Sequence, residues 1–141
     1  MRVIKIIVYR FDELPDDVRN NTIKRYRYIN VEKDICWWQP IIDEAEQMGV
    51  VIADFDLYKN TIIGTLTKSI EEVAQNLLNK FDNNSKIKEY ERVNPNKFIK
   101  IVLNEYLDIL RKKYEYMTSV EAVIATLKDY EFTNDGKICY E

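Results

Sequence analysis

The chain contains no histidine. That removes the commonest general base and the commonest transition-metal ligand together. Cys36 and Cys139 are the only cysteines, and two thiolates cannot close a zinc site. A nucleophile–base pair has one place to be sought: "TLTKS" groups Thr65, Thr67, Lys68 and Ser69. A Ser–Lys dyad is conceivable there. Ser69 is already explained as a helix N-cap, because Glu72 follows three residues later in capping-box spacing. Asp54 and Asp56 stand at alternate positions of a strand pattern and present two carboxylates to one face. Such a pair suits a hard cation such as Mg²⁺, and a solvated sheet face is the simpler account. Three glycines in the whole chain leave no phosphate-cradling loop. The residues therefore assign no catalytic, metal or cofactor site, and no hydrolase or transferase chemistry is expected.

Binding chemistry is better represented. "KRYRY" (24–28) interleaves cations with tyrosines, a pattern that can hold single-stranded nucleic acid by charge and stacking. The helical period splits it, with Tyr26 inward and Lys24, Arg27 and Tyr28 outward, so the outward set reads as a solvated helix face or a partner-binding face. "RKKYEY" (111–116) lies near the end of a long helix, where cations complement the dipole. Twenty-one basic and 24 acidic residues give a net charge of −3. That argues against non-specific nucleic-acid binding and is too modest for a DNA mimic.

These residues need elements to position them. "RVIKIIVYRF" (2–11) reads as a strand. Pro15 suits a first helical position, with Asp16 and Asp17 at the positive end of the dipole. That helix is expected to run to about Ile29, with Val18, Thr22 and Tyr26 inward. "VEKDICWWQPIIDEAEQMG" follows the helical period through Val31, Ile35, Trp38, Ile42, Ala45 and Met48. Pro40 must kink this helix or start a new one, and the pattern favours one continuous helix. "VVIADFDLYKNTIIGTLT" is a hairpin, with Val51, Ala53, Phe55 and Leu57 expected on the packed face. A helix follows Ser69, and "KIKEYERV" (86–93) has no period and reads as a mobile connection. Asn94 and Pro95 start a central helix running to about Tyr116, with Leu110 in the core. "TSVE" (118–121) repeats the capping box before a last helix. The end forms a short hairpin or a strand joining the sheet.

Adjacent Trp37 and Trp38 cannot be equally buried on a helix, because neighbours point about 100° apart. The continuous-helix register places Trp38 in the core and Trp37 at its edge. Trp37 then packs beneath a loop or against the first helix, or serves as an interface anchor, a role for which tryptophan is favoured.

A length of 141 residues with 46% hydrophobic and 32% charged residues suits one globular domain spanning 1–141. The expected fold is α+β, with a small antiparallel sheet packed against about five helices. With two thiols and no signal-peptide pattern, a reduced intracellular protein is expected.

Three stretches resemble a known family together: "YRFDELPDDVRNNTIKRYRYINV" with its following "WW", "IADFDLYKN", and "YEYMTSVEAVIATLKDYEFTNDGKI". The chain is similar to small proteins of bacteriophages, prophages and other mobile elements. The resemblance covers all but roughly residues 60–95, where this chain is shorter and poorer in glycine, and it transfers no catalytic residue. It implies a phage-type accessory protein acting in the bacterial cytoplasm. Small proteins of this kind bind host proteins, anti-CRISPR inhibitors among them. The leading expectation is a non-enzymatic inhibitor of a bacterial defence protein, CRISPR-Cas nucleases being one target class. Lys24, Arg27, Tyr28 and Trp37 are its candidate partner-binding residues, without direct nucleic-acid or membrane contact. A sponge for a small nucleotide signal and a structural or regulatory phage protein are the alternatives.

Overall fold

The computed structural model describes residues 7–81, 85–88 and 93–139, without the side chains of residues 85 and 86. Its helices and two small antiparallel ribbons make an α+β fold. The chain groups into two compact units. The first joins residues up to Ile35 with those from Tyr114 onward, and the second comprises Cys36–Lys113.

In the first unit, β1 (Tyr9–Arg10) pairs antiparallel with β4 (Glu131–Phe132), Tyr9 opposite Phe132. The expected strand over 2–11 lies partly outside the described residues, and it ends early because Phe11–Glu13 form a 3-10 turn. Helix α1 (Asp16–Arg25) opens on two aspartates that favour the positive end of its dipole. It stops four residues before the expected end, and the chain restarts as α2 (Ile29–Lys33). Thr22 is buried, and Tyr26 accepts a hydrogen bond from the Ile138 amide at 2.8 Å. The core gathers Phe11, Leu14, Ile29, Val123, Leu127 and Phe132, with the Phe11 and Phe132 rings 6.1 Å apart.

The second unit begins in a turn, residues 36–38, and α3 (Gln39–Gln47) follows with Pro40 in its first turn. This corrects the continuous-helix expectation. A proline lacks the amide that a helix interior needs, whereas the first turn has no acceptor for it. Gly49 then ends the helix at φ +95°, a left-handed conformation natural to glycine.

Strands β2 (Val50–Asp56) and β3 (Thr61–Leu66) form the predicted hairpin. Its packed face differs from the expected one. Val50 and Ile52 are buried, and Ala53 is exposed. The register shifts between Ile52 and Asp54, so a bulge inserts one residue and reverses the alternation. Phe55 thereby lies opposite Ile62 on the same face as Val50 and Ile52. The hairpin belongs to its own ribbon and does not share a sheet with β1.

Helix α4 (Ile70–Lys80) is capped as predicted, Ser69 Oγ accepting from the Glu72 amide at 3.2 Å. A helical turn, α5 (Ser85–Lys88), occupies part of the stretch read as a connection, and its Ile87 is fully buried. A lone apolar residue in a polar run carries no periodicity, which is why the sequence hides it. Helix α6 (Pro95–Met117) starts at Asn94, whose Oδ1 accepts from the Lys97 amide at 2.8 Å. Phe98, Val102, Tyr106 and Leu110 of this helix are fully buried.

Candidate partner-binding surface

The last helix, α7 (Val120–Leu127), is capped by Ser119 and not by Thr118. Ser119 Oγ accepts from the Ala122 amide at 3.2 Å and donates to the Tyr116 carbonyl at 2.6 Å. Thr118 instead donates back to the Tyr114 carbonyl at 3.0 Å, within the last turn of α6. Both hydroxyls are thus committed to the backbone.

Helices α1 and α7 leave a groove of about 330 Å³ between them. Ile23, Lys24 and Arg27 form one wall, and Thr118, Ser119, Val120 and Val123 form the other. Among the described residues, no carboxylate lines it. Lys24 and Arg27 are exposed, and neither joins an ion pair among the described residues. Arg27 reaches over the Tyr28 ring, 5.7 Å from its centroid, and Tyr28 is exposed. Arg25, the remaining cation of the run, is directed elsewhere: the Thr133 hydroxyl holds the Asp135 carboxyl below its usual range, with Lys137 and, least, Arg25 adding to the effect. Val120 adds an apolar rim that is 59% exposed.

Three of the four candidate residues therefore belong to this neighbourhood of the first unit. The fourth does not support a docking role. Trp37 is buried at 7% exposure, and Trp38 is only half-buried, the reverse of the helical expectation. Residues 35–38 form a turn, so the helical register never applied to them. Both rings meet Phe55 edge-on, at 6.3 and 6.2 Å between centroids. Trp37 is packing within the second unit.

The other chemical candidates are occupied by structural roles. Lys68 Nζ donates to the Gln47 carbonyl at 3.0 Å, and Ser69 caps α4. Asp54 accepts from the Phe55 amide at 2.9 Å, and Asp56 from the Lys59 amide at 3.0 Å. No cluster of three metal-ligating side chains exists among the described residues. Arg111 is held by Asp108 and Asn60. A second cavity, of about 350 Å³, is lined by Asn30, Lys33, Tyr116 and Thr126. Its amide and hydroxyl bond each other, Thr126 Oγ1 to Asn30 Oδ1 at 2.5 Å, and Asn30 also donates to the Met117 carbonyl at 2.9 Å.

Sequence reasoning expected Lys24 and Arg27 outward on one continuous helix; both are exposed, but Arg27 lies in the turn after α1, where the helical period does not apply. Sequence reasoning missed the facing wall of Val120 and Val123, because contacts between segments about a hundred residues apart leave no local signature. An aliphatic residue at the exposed start of α7 was the one available signal. Among the described residues, no helix is long and apolar enough to cross a membrane. Comparison with protein-family models, curated proteins and solved structures gives no match.

Proposed function

We propose that this chain is a non-enzymatic, phage-type accessory protein that docks on a bacterial defence protein and inhibits it, with Lys24 at the end of α1 and Arg27 and Tyr28 in the turn after it as its contact surface. The supporting observation is a pair of exposed cations that form no ion pair among the described residues, beside an aromatic ring and an apolar rim. Cations of one sign on a docking face steer a complementary partner and fix its register. The family resemblance supplies the setting, the bacterial cytoplasm during infection, and CRISPR-Cas nucleases are the first targets to test.

The test is capture from bacterial lysate by the wild-type chain and by a Lys24→Glu/Arg27→Glu chain. A host defence protein should co-purify with the first, lose activity in its presence, and be absent from the second. Equal capture by both chains would refute the docking face. Cyclic nucleotides should leave the melting temperature unchanged; a ligand-dependent rise would favour the nucleotide-sponge reading.

A further inference from the structure

We infer that the groove between α1 and α7 receives an acidic peptide segment of the partner, seating an aliphatic side chain against Ile23 and Val120 while its carboxylates meet Lys24 and Arg27. This rests on the reading that the α1 face is the docking surface. It adds the chemistry of what docks there.

Charge decides the sign of the ligand. Among the described residues, the groove has two cations on one wall and no carboxylate on either. The whole chain is net negative at −3, so an unneutralised basic groove is a local departure that an acidic segment would complete. Arg27 offers a planar fork suited to a carboxylate, and Lys24 a mobile point charge.

The opposite wall decides the rest. The Thr118 and Ser119 hydroxyls already bond backbone groups, so they have little left to offer a polar ligand. What remains is aliphatic: Val120 at 59% exposure, with half-buried Ile23 and fully buried Val123 behind it. A volume of about 330 Å³ holds a few side chains and not a folded element. A nucleotide fits less well, because no aromatic ring lines the groove to stack a base. A long polyanion would also meet the chain's overall negative charge.

The experiment is a display selection of random short peptides on the full chain, run in parallel on the Lys24→Glu/Arg27→Glu chain. Melting temperatures of both baits confirm that each is folded. Enriched peptides should carry net negative charge and at least one Leu, Ile or Val. Their affinity should fall about tenfold or more on the charge-reversed bait, as expected for loss of close charge pairs. Val120→Asp should weaken them as well. Enrichment of basic or uncharged peptides, equal binding to both baits, or no enrichment at all would overturn the inference. The lysate capture separates the two claims. If a host protein is still lost with the charge-reversed chain while selected peptides are not acidic, the docking face stands and the acidic-segment inference falls. If the charge-reversed chain still captures the host protein, the docking face itself falls.

Discussion

The Tyr106 hydroxyl is fully buried in the second unit and has no hydrogen-bond partner among the described residues. A buried polar group left unmatched costs roughly 1–3 kcal/mol. Tyr106→Phe keeps the ring, which meets Phe81 edge-on at 6.3 Å, and removes the orphan oxygen. It should therefore leave stability unchanged or raise it by about 1 kcal/mol in denaturant unfolding. Burial, with the Glu44 charge adding to it, pushes the Tyr106 hydroxyl up from 10.0 to about 12. Between those values the folded chain keeps a proton that the unfolded chain releases. Stability is then fully present below pH 10 and falls as pH rises through about 12, by an amount on the order of 2–3 kcal/mol. Tyr106→Phe should abolish that alkaline loss; an unchanged alkaline slope would show that other groups cause it. The tryptophans give a second test at this scale. Trp37 is the buried ring and Trp38 the half-buried one, so Trp37→Ala should cost roughly 3–5 kcal/mol and Trp38→Ala clearly less. The opposite order would restore the continuous-helix register.

Among the elements, the hairpin carries the sharpest constraint. Gly64 lies opposite Ile52 on the packed face. A methyl group there would stand 2.8 Å from Leu103 Cδ2 and 2.4 Å from the Val51 carbonyl oxygen. The latter is backbone, so the hairpin itself would have to move. Gly64→Ala should destabilise by roughly 1–3 kcal/mol through overpacking, read as a lower denaturant midpoint with an unchanged slope. A neutral result would mean that β3 slides without resistance. The same elements show what a sequence reveals. Caps were legible where one side chain must bond one amide, as at Ser69 and Asn94. The helix stop at Gly49 was legible because left-handed backbone favours glycine. The packed face of β2 was not, because one bulged residue at Ala53 reverses a period of two. Pro40 allowed two outcomes, and its neighbours' apolar spacing favoured the wrong one. The outward Lys24 of α1 was legible from period; Arg27, in the turn beyond the helix, and the wall they face were not.

At the scale of the whole molecule, the first unit is assembled from the two ends of the described chain. Thr126 and Asn30, hydrogen-bonded at 2.5 Å, are 96 positions apart. No local pattern encodes such a pairing, so a sequence without a linker reads as one domain while its contacts group as two units. Charge is distributed with the same indifference to local order. Acidic residues exceed basic ones by three overall, yet Lys24 and Arg27 line a groove in which no described residue is a carboxylate. A local positive site on a net negative body favours a partner that is acidic only where it docks, and repels one that is acidic throughout. The consequence lies in association kinetics. Exposed charges are screened over about 10 Å at moderate salt, so their contribution should appear mainly in the association rate and fade as salt rises. For the wild-type chain binding its captured partner, or an enriched acidic peptide, the association rate should fall steeply with added salt. The Lys24→Glu/Arg27→Glu chain should associate slowly at every salt concentration, with the trend flattened or reversed. Its folding stability should stay within about 0.5 kcal/mol of wild type, as for surface positions outside the core. If the salt dependence survives both substitutions in stopped-flow measurements, the steering charge lies elsewhere and the groove is not the point of first contact.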